Sequence, residues 1–451
     1  MKNGTKHEAE VIVVGGGLAG LAAATYLARA GRSVTVLERS SQLGGRAITN
    51  KLGDYYFNLG PHALYRKGAA AKILRELGVA FEGKLPPLSG YALRDSALHA
   101  VSQNPWWFVS NRLLSAGGKL EAARKLVSIR MMDPAKVQRQ TLREWLDRNV
   151  HHPEVRELIC ALVRVATYAN DTERMSAGLA LHQVQLASRG VYYLHHGWQT
   201  LVDGLRGAAK AAGVRIVTGA KVAAIERDDA VRGVRFEDGT IRPASAVIIA
   251  VSPQVAAELV ERSGETLLRE WADAAMPVRA ACLDVGLRRL TRPKVTFALG
   301  LDQPVYFSVH SRTARLAPEG AAMIHVAKYL AMDDTTDPKE TERELEAVLD
   351  LAQPGWRDEL VERRYLPNMT VVNALATADR GGLAGRPGPE VPGVRNLYVA
   401  GDWVGAEGWL SDASLASAKR AAGLILQRPA ESPDVRPAVE RSAVGAARRE
   451  E

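Results

Sequence analysis

The sequence predicts an α/β chain in which one parallel-sheet domain is assembled from separated stretches and interrupted by two insertions, one mostly helical and one α+β. Two observations predict it. The first is a βαβ unit at the N-terminus. The β-branched run Val11–Val14 reads as a strand buried on both faces, Gly20–Ala30 as an Ala/Leu helix closed by Gly31, and Ser33–Leu37 as the next strand. The second is that this character returns twice. A helix from Thr200 to Ala212 leads into the strand Val214–Val217, the hairpin-like segment Val222–Glu237 and the strand-like run Ala246–Val251. Near the C-terminus, Leu397–Ala400 reads as a short strand and Asp412–Leu426 as a helix.

Between these pieces the patterning changes. Residues 100–188 carry helical apolar spacing around Leu120–Met132, Leu142–Val150 and Val155–Val165. Residues 275–372 hold strand-like runs at Ala280–Val285, Val305–Val309 and Ala321–Ala327, and a charged helix at Thr341–Leu351. The expected division is therefore a sheet domain from 9–80, 190–262 and 392–428, a mostly helical substrate or entrance region at 81–189, and an α+β substrate domain at 263–391. Residues 429–451, rich in Pro, Glu, Arg and Ala, are expected to be a disordered tail.

Composition narrows the class. A chain of 451 residues, 47% hydrophobic and 24% charged, has the balance of a soluble globular protein with more than one core. Its two cysteines, Cys160 and Cys282, lie far apart, which excludes a disulfide scaffold and CxxC zinc patterns and fits a reducing cytoplasm. No metal site is expected. The net charge of +9 comes from basic residues scattered along the chain, the pattern of a solvated surface, so no nucleic-acid partner is expected. Lys2 and Lys6 ahead of apolar residues 11–28 imitate a signal peptide, but Gly15 to Gly17 interrupt the run, so it is read as the first strand and helix.

The run Val11-Ile-Val-Val-Gly15-Gly-Gly17-Leu18-Ala19-Gly20 places a GxGxxG between a strand and a helix. Gly15 makes the tight turn, and Gly17 lets a pyrophosphate reach the backbone at the helix N-terminus beside Leu18 and Ala19. Gly20 permits close helix–strand packing. Glu38, at the end of the second strand, can accept the ribose hydroxyls and disfavours a 2′-phosphate. These residues alone do not separate NAD from FAD.

The next segment does. Glu38-Arg39-Ser-Ser-Gln42-Leu-Gly44-Gly45-Arg46 resembles the RxGGR extension of the flavin-dependent amine oxidase superfamily, with Gln42 where the pattern's first arginine would fall. The resemblance implies a Rossmann-like domain of the glutathione-reductase type holding non-covalent FAD. A second Gly-Gly folds the backbone over the phosphates, and Arg46 clamps them. Phe57-Asn-Leu-Gly60-Pro61-His62 resembles the strand and turn that pass under the isoalloxazine in phytoene desaturases and protoporphyrinogen oxidases. The stretches from His196 to Val202 and from Gly213 to Val222 resemble the middle segment, in which the residue matching Val222 pairs with the adenine edge. Val247 to Pro253, with Ala250, resembles the strand leading back out of the domain. Gly401-Asp402-Trp403 and Gly408 to Ser414 resemble the closing motif, in which Gly-Asp meets the pyrophosphate or ribitol. Leu410, Ser411 and Ala413 then begin a helix whose N-terminus would stabilise negative charge on the flavin's N1–C2=O edge.

The implied reaction is removal of hydride from an organic, apolar or polycyclic substrate to flavin N5. A second GxGxxG at a strand–helix junction is missing, so oxygen or a quinone-like compound is the expected acceptor. The candidate catalytic residues are His62 and Trp409; Trp403, Leu410, Tyr193 and His195 are also expected near the flavin. An amine oxidase releasing hydrogen peroxide, and a non-redox prenyl-binding protein of the GDP-dissociation-inhibitor type, are the alternatives. Finally, Trp106, Trp107 and Phe108 precede a basic helix with Arg124, Lys125 and Arg130. That arrangement over 104–132 suits an apolar-substrate entrance or a peripheral membrane contact.

Overall fold

A computed structural model describes residues 10–87, 89–101, 113–260 and 266–428. The expected tail and the Trp106-Trp107-Phe108 run lie outside the described residues. Five parallel strands form the central sheet in the order Arg215–Thr218, Val34–Glu38, Val11–Val14, Ala246–Ile249, Leu397–Val399. The order reverses between Val11–Val14 and Ala246–Ile249, so a crevice opens at the carboxyl ends of those two strands. All four residues of Val11–Val14 are buried, and they alternate between two cores. Val11 and Val13 feed the core beneath the helices Leu18–Arg29, Ala69–Glu76, Gln199–Ala211 and Ser411–Gln427. Ile12 and Val14 feed the opposite core, which includes the hairpin Val222–Arg227 with Val231–Phe236. This two-faced burial is why the run is apolar without alternation.

The second sheet has seven strands. In order they are Leu360–Val372, Val278–Leu287, Ala322–Tyr329, Val305–Val309, Phe297–Gly300, Gly90–Arg94 and Ala97–Val101. Three of these correct the sequence reading. The hairpin Gly90–Val101 falls in the stretch expected to be mostly helical, yet it extends this sheet through the parallel pair Gly90–Arg94 with Phe297–Gly300. Its turn residues Asp95 and Ser96 both have positive φ, of 51° and 56°, which suits a tight hairpin. Leu360–Val372, the longest strand, was not anticipated, because Pro367 and the run Glu362-Arg363-Arg364 disguise its alternation.

Beyond the hairpin the helices Ala116–Met131, Leu142–Asn149 and Pro153–Thr167 fall where the apolar spacing indicated them, and Ala177–Ala187 is a further helix. Among the described residues no helix is long and apolar enough to cross a membrane.

Candidate active site

A cavity of about 980 Å³ runs from the switch point of the central sheet to the edge of the seven-stranded sheet. Its middle is the N-terminus of the helix Leu18–Arg29. That end has no side-chain cap and no acidic residue in its first turn, so its N–H groups await an acceptor. Gly15 stands at φ +109°, and a Cβ there would lie 2.6 Å from the carbonyl oxygen of Ala250. A Cβ on Gly20 would lie 1.9 Å from the carbonyl oxygen of Gly15, so this position must be glycine for the turn to pack. Gly17 differs. Its φ of −79° is ordinary, and the nearest atom to a Cβ would be the Gly44 oxygen at 3.9 Å. The fold does not need glycine there; open space in front of uncapped amides is what an anionic group needs.

Gly44 and Gly45, at φ +124° and +56°, curl the following loop against this turn, and Gly44 N donates to Gly16 O at 3.0 Å. Arg46 then reaches Asp402, with Nη1 to Oδ2 at 2.8 Å, and also donates to Val371 O at 2.8 Å. Asn373 donates to the same carboxylate from its side chain at 2.8 Å and its backbone at 3.1 Å. Burial pushes the Asp402 carboxyl up, but Arg46 and Asn373 outweigh it and hold the group below its ordinary value. One end of the cavity, beyond Glu38, is lined by Arg39, Lys221, Val222, Glu237 and Glu258. Glu38 accepts from Gly16 N at 2.7 Å and from Ser40 N at 2.8 Å.

The other end is apolar: Leu59, Pro61, His62, Ala63, Tyr168, Leu366, Met369 and Leu410 line it. His62 lies between two carbonyls, Nδ1 3.0 Å from Gly60 O and Nε2 3.2 Å from Arg46 O, with its ring edge-on to Trp198. Desolvation outweighs those acceptors and lowers its pKa to about 4, so the ring is neutral at physiological pH. Gly60 turns at φ +75°, and a Cβ there would lie 2.5 Å from Met369 Cε.

The closing helix Ser411–Gln427 also starts without a side-chain cap. Leu410, just before it, has φ 56° and ψ −130°, a conformation that costs a non-glycine residue about 1–3 kcal/mol. Neighbouring Trp409 anchors the turn: it is fully buried and its indole N–H donates to Thr167 O at 3.0 Å. Arg386 fastens the same loop through Asp402 O and Gly408 O, each at 2.8 Å.

Most of the expected cofactor residues therefore share one cavity: Gly15, Gly17, Leu18, Ala19, Glu38, Arg39, Gly44, Gly45, Arg46, Pro61, His62, Val222, Ala250, Gly401, Asp402, Leu410 and Ser411 line it. Gly20 and Gly60 shape its turns from behind. Other expectations are corrected. Trp409 does not line the cavity, because its ring fills the helical core. Ala413 is fully buried under the helix start. Trp403 donates to Val251 O at 2.9 Å in the opposite core, and Tyr193 stacks on His310 at 3.9 Å. His195 accepts from Arg315 N at 3.0 Å away from the cavity. Sequence reasoning missed Tyr168, Leu366 and Met369. Tyr168 sits in a left-handed C-cap (φ 62°), its hydroxyl donating to Pro61 O at 2.8 Å. Among the described residues no cysteine lines the cavity.

The profile of the family described as flavin containing amine oxidoreductase matches residues 18–281, more than half of the chain. The chain belongs to that family. It is a flavin-dependent oxidoreductase whose cofactor is FAD, which sets aside the non-redox prenyl-binding alternative. An L-amino-acid oxidase of Crotalus adamanteus is 41% identical over 113 residues, 24% of this chain; the match spans only 19% of that enzyme's length. Two solved structures share the fold. A putrescine oxidase bound to putrescine is 16% identical with a TM-score of 0.72, covering 93% of this chain and 99% of that one. A protein assigned as a protoporphyrinogen oxidase from Exiguobacterium sp. 255-15 is 19% identical with a TM-score of 0.69, covering 94% and 100%.

Asp412 links the closing helix to its neighbour. Its Oδ1 accepts from Ala70 N at 2.7 Å at the start of the helix Ala69–Glu76, while Oδ2 has no partner. Burial raises its pKa to about 7, against the opposing pull of the Ala70 amide. Because the folded value lies above the unfolded one, its stabilising contribution is complete below about pH 4 and is lost as pH rises towards 7. Asp412→Asn should therefore raise the unfolding free energy read from urea titration at pH 8, by on the order of 1–3 kcal/mol, and leave it unchanged at pH 4. An equal shift at both pH values would contradict this assignment.

Proposed function

We propose that this oxidoreductase dehydrogenates an apolar, uncharged organic substrate, in the manner of a desaturase or oxidase, with oxygen or a quinone-like compound as final acceptor. The supporting observation is the wall of Leu59, Pro61, Ala63, Tyr168, Leu366 and Met369, in which the one titratable imidazole, His62, is held neutral. FAD, when bound, supplies the hydride acceptor. The protein's own residues do the rest. Arg46 and the uncapped start of the helix Leu18–Arg29 hold the phosphates, and Glu38 takes the ribose. The backbone N–H groups at Leu410 and Ser411 offer partial positive charge at the opposite end of the site. His62, fixed by Gly60 O and Trp198, presents a neutral edge, while Leu366 and Met369 exclude water from the reacting C–H bond.

An amine or amino-acid substrate is less well served. An ammonium wants a carboxylate or facing aromatic rings, and a substrate carboxylate wants a free cation. None of the described residues lining the apolar end is a carboxylate or a permanent cation, and Arg46, assigned to the phosphates, already pairs with Asp402. Trp409, expected as a catalytic residue, is turned into the core.

The test is anaerobic bleaching of the flavin absorbance across polyenes, porphyrinogens, amines and L-amino acids. Bleaching by an uncharged apolar compound is the expected result. Bleaching by amines or L-amino acids alone, with ammonia and hydrogen peroxide released in air, would replace this reading.

A further inference from the structure

The helix Ala116–Met131 carries apolar residues on two opposite sides. Gly118, Ala122 and Ile129 are buried against the rest of the helical insertion. Leu120, Val127 and Met131 follow at intervals of seven and four residues, so they share one line along the helix, on the side away from that buried face. They are 53%, 65% and 80% exposed, and Leu126 adds a further apolar side chain at 37%. Exposed singly, large apolar residues need no explanation; aligned on one solvent-facing stripe, they do.

The charges around the stripe are of one sign. Arg124 and Arg130 are exposed and Lys125 partly so, with Lys119 one turn earlier. The helix has one acidic residue, Glu121, and its oxygens are occupied by the backbone N–H groups of His151 and His152, each at 2.9 Å. Among the described residues no ion pair reaches Arg124, Lys125 or Arg130, and the whole chain carries +9.

We propose that this face of the helix Ala116–Met131 lies on an anionic lipid bilayer, with Leu120, Val127 and Met131 entering the acyl boundary and the cations meeting the headgroups. A helix lying in the membrane plane needs an apolar stripe bordered by lysine and arginine; here Arg124 and Arg130 flank the stripe, about 40° and 80° round the helix from Leu120, and Lys125 lies farther round. Basic residues beside a negatively charged leaflet add to the attraction and make it salt-dependent. A second copy of the chain suits the face poorly, because it would crowd two sets of these cations onto one contact while the helix's single carboxylate, Glu121, is already engaged by His151 and His152. The contact is independent of which substrate the cavity takes.

The experiment is co-sedimentation of the FAD-loaded full-length protein with phosphatidylcholine vesicles, with and without a quarter of phosphatidylserine. The wild type is expected to pellet with the anionic vesicles, far less with the neutral ones, and to be released in part by high salt. Leu120→Ser/Val127→Ser/Met131→Ser is expected to weaken the partition about tenfold or more. Arg124→Glu/Lys125→Glu/Arg130→Glu is expected to weaken it at least as much. Circular dichroism and flavin content should match the wild type in both variants, since each substituted side chain is exposed or, for Lys125, partly exposed. Failure of the wild type to pellet overturns the proposal. So does an apolar triple variant that pellets undiminished, which would mark a contact with surface polyanions without insertion. A change of oligomeric state in that variant, with no vesicle binding by the wild type, would assign the stripe to a second copy instead.

Discussion

Replacing Asp284 by asparagine is expected to cost about 3–5 kcal/mol of stability, because it leaves a guanidinium buried without its counter-charge. Asp284 is fully buried in the strand Val278–Leu287. Its Oδ2 receives Arg364 Nη2 at 2.5 Å, and its Oδ1 receives His325 Nδ1 at 2.5 Å and the Cys282 thiol at 2.9 Å. Cys282, Asp284 and His325 lie close enough together to resemble a metal-ligand set. Arg364 already supplies the cation, and burial together with Asp284 pushes the Cys282 thiol well above its usual range, so the group reads as an ion-paired support. Burial opposes ionisation of Asp284, but His325 and Arg364 hold the carboxyl below its ordinary value. Its contribution is therefore present above about pH 4 and is lost as pH falls further. Urea unfolding at pH 7 should show the loss and unfolding near pH 3 should not. Equal midpoints for wild type and variant at pH 7 would refute the argument.

The effect should reach the cavity. Arg364 also donates to Asn58 O, and Asn58 Oδ1 accepts from Thr49 Oγ1 and Trp198 N. Trp198 in turn packs edge-on against His62. Loosening Arg364 therefore loosens the turn expected beneath the flavin, and the Asp284→Asn protein should lose FAD more readily on dialysis.

The second large effect separates binding from folding. Gly17→Val adds a side chain where the backbone is already extended and no atom lies within 3.9 Å of the new Cβ, so the apo fold should be unchanged. The same side chain fills the space in front of the helix N-terminus that a pyrophosphate must enter. FAD affinity should fall on the order of 100-fold, about 3 kcal/mol, with the circular dichroism of the apoprotein preserved. Gly20→Val is the contrasting control, since its Cβ would collide with Gly15 O and should damage folding as well.

The parts of this site that were legible in the sequence are those whose chemistry is local. Gly15, Gly17 and Gly20 announce a phosphate turn because backbone conformation and close approach demand glycine at fixed spacing. Arg46 and Asp402 were legible separately, each within its own motif; their mutual ion pair was not, since 356 positions of chain separate them. The apolar wall was hidden for a similar reason. Leu366 and Met369 sit on a strand whose pattern is broken by Pro367, and they meet the cavity only through the register that pairs Leu366 with Cys282. Tyr168 acts from a helix C-cap, which carries no side-chain signal. The buried network did leave a trace, a lone Asp in the apolar run Ala280–Leu287 and a lone His in Ala322–Tyr329, and the strand register sets the two opposite each other. Trp409 shows the converse: a motif gave its position along the chain, but packing decided which way its ring faced.

If the cavity between the glycine turn and the apolar wall is the FAD site, blocking its glycine turn must empty it of flavin. The most direct measurement is the FAD content and visible absorbance of purified wild-type protein beside Gly17→Val, each after incubation with excess FAD and gel filtration. About one FAD per chain in the wild type, and almost none in a folded Gly17→Val, is the expected result. A wild type that stays colourless after incubation, or a Gly17→Val protein that retains the flavin as tightly, would contradict it.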